Sequence, residues 1–162
     1  MLREYVQQMQ WNDATNREGH AAKVYFNALF GMDFSRSQDC PINAALNYGY
    51  SLILSAVNRE IVTNGYLTQL GLFHDNMFNQ FNLGSDLMEP FRVLIDRKVF
   101  DMTLIEFEHE EKMQLVNLLN EEVIMDGKHY VILNAIKQYV KSVFDALNES
   151  DIAQLSFYSY EL

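Results

Sequence analysis

The chain has 162 residues, 49% hydrophobic and 13% aromatic, and its 12 Lys and Arg against 22 Asp and Glu give a net charge of −10. That is enough apolar material for one sizeable core in the usual size range of a single domain, and it excludes the disordered and fibrous classes. No apolar run approaches the roughly 20 residues of a membrane span and MLREYVQQMQ lacks the apolar stretch of a secretory signal, so no membrane partner is expected and the expected compartment is the cytoplasm.

From Asp13 to Phe30, the residues Ala14, Ala21, Val24, Tyr25, Ala28 and Leu29 recur at three and four, the period of an amphipathic helix, and Gly31 is its stop. MDFSRSQDC is a polar connection, in which the solitary Cys40 excludes an internal disulfide and a cysteine-rich zinc site. Asp39 as N-cap and Pro41 in the first turn open a helix that Asn64-Gly65 closes. Its stripe of Ile42, Ala45, Leu46, Gly49, Leu52, Ile53, Ala56, Val57 and Ile61 includes small residues, which implies close helix packing. Tyr66 to Phe73 reads as a short connection leading to His74.

Leu83-Gly84-Ser85 then offers a turn with Ser85 as N-cap, and Leu87, Phe91, Leu94 and Ile95 form the next apolar face. Pro90 within that face predicts a kink or a late helix start, because proline removes a helical donor. Thr103 and Glu106 have capping-box spacing before a helix to about Asn120. Residues 1–98 carry 8 Lys and Arg against 10 Asp and Glu, whereas residues 99–162 carry 4 against 12. Glu106, Glu108, Glu110, Glu111, Glu121 and Glu122 therefore read as a solvated face or as a surface for a basic partner. Val123 to Val131 is a hairpin on an Asp-Gly turn, Leu133 to Leu147 is a helix, and the residues after Ser150 are a short tail. The fold class is all-α, a multi-helix bundle with a small β-hairpin near residues 123–131, in one helical domain over residues 1–162.

Four residues stand out because burying an ionisable group without a partner is costly. Glu18 shares a helix face with Ala21, Ala22 and Tyr25, an odd place for a carboxylate unless it serves the macrodipole near a helix N-terminus. Gly19 beside it would permit close approach by another backbone or a ligand. Arg17, His20 and Lys23 cluster around it, either to bind phosphate or as a solvated helix surface. His74 follows the apolar run Gly71-Leu72-Phe73 and is either a hydrogen-bonded core residue or a ligand. Asp86 and Glu89, at i and i+3, share a helix edge, where two carboxylates repel unless a cation lies between them or they point apart. Taken together, two or three carboxylates with one imidazole and no thiolate describe a site for Mg²⁺ or Mn²⁺, with the imidazole tilting the choice toward Mn²⁺.

The blocks Arg17-Glu18-Gly19-His20-Ala21-Ala22-Lys23-Val24-Tyr25-Phe26, Pro41-Ile42-Asn43-Ala44-Ala45-Leu46-Asn47-Tyr48-Gly49-Tyr50, Leu70-Gly71-Leu72-Phe73-His74 and Asp86-Leu87-Met88-Glu89-Pro90-Phe91-Arg92 closely resemble, in order and spacing, the CRISPR-associated integrase family "Cas one". The resemblance is strongest from about Trp11 to Arg97. The Glu after the His resembles the subtype that accompanies a single-protein effector nuclease. The resemblance implies a divalent-metal-dependent DNA endonuclease and integrase of antiviral defence that joins the 3′-hydroxyl of captured DNA to the CRISPR repeat by transesterification. By motif it makes Glu18, His74 and Glu89 the catalytic metal ligands for Mg²⁺ or Mn²⁺, with Asp86 a neighbouring acidic position. Arg17, Lys23, Asn43, Tyr48, Arg59 and Arg92 become candidates for positioning DNA.

The partners the resemblance implies are double-stranded DNA (prespacer and repeat), a second copy in a homodimer, and the "Cas two" subunit. Family members begin with a β-rich domain of roughly a hundred residues, so this chain resembles the C-terminal catalytic part. It is expected to keep its fold and metal binding and to be weak or inactive alone. Two other readings stay open. His74-Asp75 is an HD dipeptide, which with His20 would suit a helical metal-dependent phosphohydrolase in which Asp75 is a ligand. A non-catalytic helical interaction module is the other.

Overall fold

The computed structural model describes residues 4, 7 and 16–159, and among them the helical periodicities become five α-helices with a three-stranded sheet near the C-terminus. The elements are α1 (Arg17–Phe30), α2 (Pro41–Thr63), α3 (Asn82–Asp101), α4 (His109–Leu118), β1 (Glu122–Met125), β2 (Lys128–Val131), α5 (Ile132–Glu149), a 3₁₀ turn (Ile152–Gln154) and β3 (Tyr158–Ser159). The helical bundle with a small hairpin is therefore the observed fold class. The expected helix start at Asp13 and Ala14, and Trp11 before it, lie outside the described residues.

The centre of the bundle is the pair α2 and α3. Gly49 of α2 faces Ile95 of α3, and Gly84 of α3 faces Asn58 and Leu54 of α2, so the pair is antiparallel. A Cβ at either glycine would overlap those side chains, which is why the stripe needed small residues. Ile53, Val57 and Ile61 of α2 and Phe91 and Ile95 of α3 are fully buried. Truncating one of the larger of these to alanine costs ~2–5 kcal/mol. The strongly amphipathic α5 closes the core with Ile132, Ala135, Ile136, Val140 and Phe144.

By contrast α1 contains no buried residue. Its outer end is held by an aromatic cluster in which Phe30 lies 5.0 Å from Phe34 and 6.3 Å from Phe100, ring centre to ring centre.

Local chemistry set most boundaries. Gly31 at φ 101° stops α1, and Gly65 at φ 83° follows the Asn64 cap of α2. Pro41 occupies the first turn of α2, with Cys40 rather than Asp39 as the N-cap. Asp126 and Gly127, both at positive φ, make the hairpin turn that pairs Val123 with Tyr130.

Three further expectations are corrected, on the capping box, the start of α3 and the C-terminal tail. The capping box is Glu108 with Glu111, not Thr103 with Glu106. Met102, Leu104 and Phe107 pack against the core instead, Phe107 at 5.7 Å from the Tyr48 ring, and that packing overrides the local signal. Helix α3 starts at Asn82, ahead of Ser85, and runs on through Pro90. The loop before α3 is pinned by tertiary contacts. Tyr66 stacks on Phe144 at 3.7 Å and donates to Asn148 Oδ1 at 2.8 Å. The tail after Ser150 is structured too: β3 pairs with β1, Met125 opposite Tyr158, and Tyr158 donates its hydroxyl to the Pro90 carbonyl at 2.6 Å.

Candidate active site

The first turn of α3 captures the loop that carries His74. Asn82, 4% exposed, donates to the carbonyls of Gln69 and Asn76 at 3.0 Å each and accepts from the Asn76 amide at 3.3 Å. One turn on, Asp86 accepts from the backbone amides of Leu72 at 2.5 Å, Phe73 at 3.1 Å and His74 at 3.1 Å. Gly71 is required beside it, since a Cβ there would overlap the His74 carbonyl and the Asp86 carboxylate. The same carboxylate lies 2.6 Å from His74 Nδ1. In a neutral imidazole, an Nδ1 that faces a carboxylate carries the proton, which leaves Nε2 as the ring nitrogen with a free lone pair. Burial alone would raise the Asp86 carboxyl; the hydrogen bonds from His74, Phe73 and Leu72 outweigh it and hold it below the usual carboxylate range.

Glu89 projects from the next turn of α3. Burial pushes its carboxyl up; Arg92, paired with it at 2.9 Å, and His74 pull down, while Glu18 and Asp86 push up further. Glu18 reaches this place from α1, and the face it was expected to share lines one cavity of about 490 Å³: Glu18, Ala21, Ala22 and Tyr25 on one wall, Glu89, Arg92, Val93 and Asp96 on the other. Glu18, His74 and Asp86 thus all act electrostatically on Glu89. Among the described residues, however, no three His, Cys, Asp or Glu side chains are drawn close enough to enclose an ion.

The candidate DNA contacts are placed unequally. Arg92 lies over the Tyr50 ring at 5.2 Å beside Glu89. Arg17 and Lys23 share α1 with Glu18, and Lys23 lines an adjoining cavity of about 510 Å³. Asn43 is buried and uses its amide on the loop before α2, donating to the Ser35 and Gln38 carbonyls at 2.8 Å each and accepting from Arg36. Tyr48 packs on Phe107, and Arg59, largely exposed, pairs with Glu60 at 3.0 Å. Asp75 is exposed, and the carboxylate on the His74 ring is Asp86, an arrangement unlike an HD dipeptide in which neighbours bind one ion together.

A family model described as "CRISPR associated protein Cas1" matches residues 2–122. The chain belongs to the Cas1 family. A CRISPR-associated endonuclease Cas1 of Neisseria meningitidis serogroup C is 35% identical over 159 residues, covering 95% of this chain and 52% of the relative. One from Thermus thermophilus is 35% identical over 117 residues, covering 65% of this chain and 37% of the relative. The chain thus spans about half, or less, of the length of these curated relatives. Among solved structures, a casposase bound to its integration product superposes with a TM-score of 0.72 at 23% identity, over 86% of this chain and 48% of that one. A Cas6-RT-Cas1–Cas2 complex gives 0.75 at 19% identity, over 99% and 21%. These two likenesses are of fold.

Within this Cas1 domain the donor chemistry suits a hard divalent cation. Two carboxylates from different helices line one cavity and repel each other, and an imidazole held by a carboxylate is the usual way a metal-ligating histidine is oriented. Closing on an ion would require side-chain reorientation of Glu18 and Glu89. Several residues of the site escaped the sequence reading. Asp96 is 4% exposed and accepts from the hydroxyls of Tyr50 and of Tyr25, the latter at 2.9 Å. Arg36 stacks over Phe26 and Tyr50 at 5.5 Å each and donates to Asn43 and Asn47. Spacing held a clue to two of them, since Asn82 and Asp96 sit four residues before Asp86 and seven after Glu89. Nothing in the sequence marked Arg36, which lies in a polar loop.

Proposed function

We propose that this helical domain is the catalytic part of a metal-dependent DNA endonuclease and integrase of CRISPR spacer acquisition. The observation that carries the reading is the meeting of Glu18 and Glu89 across one cavity, next to a His74 ring fixed by Asp86. The names of its relatives, Cas1 endonucleases and a casposase with an integration product, support the reaction class. The Cas1–Cas2 neighbour supports a Cas2 subunit as partner, with prespacer and repeat DNA and a second Cas1 copy completing the assembly.

Glu18, His74 and Glu89 would hold Mg²⁺ or Mn²⁺, which when bound supplies polarisation of the phosphate and a lower pKa for the attacking hydroxyl. The reaction is an in-line transesterification. A bond forms from the DNA 3′-oxygen to phosphorus, the bond from phosphorus to the repeat's bridging oxygen breaks, and the hydroxyl proton passes to the departing oxygen. Asp86 keeps the His74 Nε2 lone pair aimed outward. Arg92, stacked on Tyr50, is placed to meet a phosphate oxygen once Glu89 turns from it, and Arg17 and Lys23 add positive charge along α1.

Mn²⁺ titration of the chain tests this. A ligand that binds only the native state stabilises it by about 2.7 kcal/mol at a hundred times its Kd. Glu18→Gln, His74→Ala and Glu89→Gln should each abolish that gain, and abolish any Mn²⁺-dependent cleavage of DNA. Retention of the full gain by both glutamine variants would overturn the assignment.

A further inference from the structure

Glu18 and Tyr25 are seven residues apart on α1, and Glu89 and Asp96 are seven apart on α3. Two helical turns separate each pair, so each pair lies on one helix face. All four residues line the same cavity. Tyr25 donates to Asp96 Oδ2 at 2.9 Å, and Glu18 acts on Glu89 through space. The two helices therefore meet as a ladder with two rungs: a hydrogen bond at one, the carboxylate pair at the next.

The carboxylate rung is repulsive even with Arg92 paired to Glu89, and α1 buries no residue fully; its far end is held by the Phe30 ring against Phe34 and Phe100. A slip of one turn along α3 would move Glu18 by about 5.4 Å, out of reach of any ion that Glu89 holds. The polar rung is built to resist that slip. Asp96 is 4% exposed, and its second oxygen accepts from Tyr50 of α2, so the acceptor that receives Tyr25 is itself fixed to the core of the bundle. Arg36 and Arg92, on the Tyr50 ring, attract its charge from the cavity side.

We propose that Asp96, clamped by Tyr50 and bonded to Tyr25, is a positioning residue that sets the register of α1 on α3 and so brings Glu18 opposite Glu89. The inference rests on the reading of Glu18 and Glu89 as ligands. It touches no reacting atom itself.

Tyr25→Phe removes one hydroxyl and keeps the ring, so the fold should survive. In the metal-free variant, amide hydrogen exchange along α1 should rise about tenfold while α2 and α3 keep their protection. The Mn²⁺ Kd should rise about fivefold, because only the seated fraction of α1 binds. Tyr50→Phe should do the same more weakly, and Asp96→Asn, which keeps an acceptor for Tyr25, should recover most of the affinity that Asp96→Ala loses. Wild-type exchange along α1 together with wild-type Mn²⁺ affinity in Tyr25→Phe would overturn the positioning role, even where Glu18→Gln abolishes metal binding. Faster exchange without weaker Mn²⁺ binding would overturn it too, leaving the bond merely structural. If the wild-type chain binds no Mn²⁺, the ligand reading falls and the positioning role falls with it.

Discussion

Replacing Asp86 by alanine is the most revealing single change, because that carboxylate serves three backbone amides and one imidazole. The four contacts run from 2.5 to 3.1 Å and the side chain is 8% exposed. Hydrogen bonds to a charged group contribute ~1.5–3 kcal/mol each, and four lost outright would exceed 6 kcal/mol by that scale. The loss is smaller here, since Leu72 and Phe73 are exposed and their freed amides return to water. Asn82 also keeps its hold on Gln69 and Asn76. We expect a local opening of the 71–75 loop worth about 2–3 kcal/mol. It should be read as faster amide exchange at Leu72, Phe73 and His74, with a smaller change in urea midpoint.

Metal affinity should fall roughly 10- to 100-fold, the usual effect of removing the partner that orients a ligating histidine. The pH dependence has a definite sign. The folded Asp86 carboxyl lies below its ordinary value, so its contribution is present above about pH 4 and is lost as pH falls through the folded value. The wild-type loop should open in acid, and the alanine variant should lack that transition. Unchanged exchange at the three amides, with Mn²⁺ affinity within about twofold of wild type, would refute the account.

Glu89→Gln removes a carboxylate crowded by Glu18 and Asp86, so the metal-free protein should be as stable as wild type or slightly more so, while the Mn²⁺-induced rise in melting temperature disappears. Asp96 has a raised carboxyl because of its burial, so its contribution is present below the ordinary carboxylate range and is lost as pH rises through the folded value. Urea titrations at pH 4.5 and pH 7 should accordingly show a steeper fall for wild type than for Asp96→Asn, and parallel curves would count against a buried, strained carboxylate. Tyr158→Phe keeps the ring stacked on Phe91 at 5.0 Å and loses the bond to the Pro90 carbonyl, for an expected cost of about 1 kcal/mol in denaturant unfolding. A neutral result would mean that the hydroxyl bond to the Pro90 carbonyl contributes nothing to holding α3 beside Glu89.

Much of the fold was legible because it depends on local rules. Apolar residues at three and four marked α1, α2, α3 and α5, and Gly31 after α1, Asn64-Gly65 after α2 and Asp126-Gly127 in the hairpin marked stops and turns through the φ angles they tolerate. The misreadings came where packing outweighs local preference. Thr103 and Glu106 have the spacing of a cap, yet Leu104 and Phe107 are wanted by the core, and the helix waits for Glu108. The third strand could not be foreseen from two residues, Tyr158 and Ser159, whose pairing with β1 depends on where α5 delivers the chain.

The site divides along the same line. The sequence by itself determined the donor chemistry, because Glu18, His74 and Glu89 are ligand-type residues beside apolar patterns and no thiolate accompanies them. It could not determine their mutual placement. Glu18 and Glu89 are 71 residues apart in the chain and line one cavity because α1 lies along α3, where the Tyr25–Asp96 bond and the Phe30–Phe100 contact also join the two helices. Nor could it choose between a cation between Asp86 and Glu89 and side chains that point apart, or tell that Asp86 would gather three amides and an imidazole. Residue type is local information and survives in one dimension; which carboxylate faces a cavity and which faces a loop is decided by helix register and close packing, which exist only once the chain has folded.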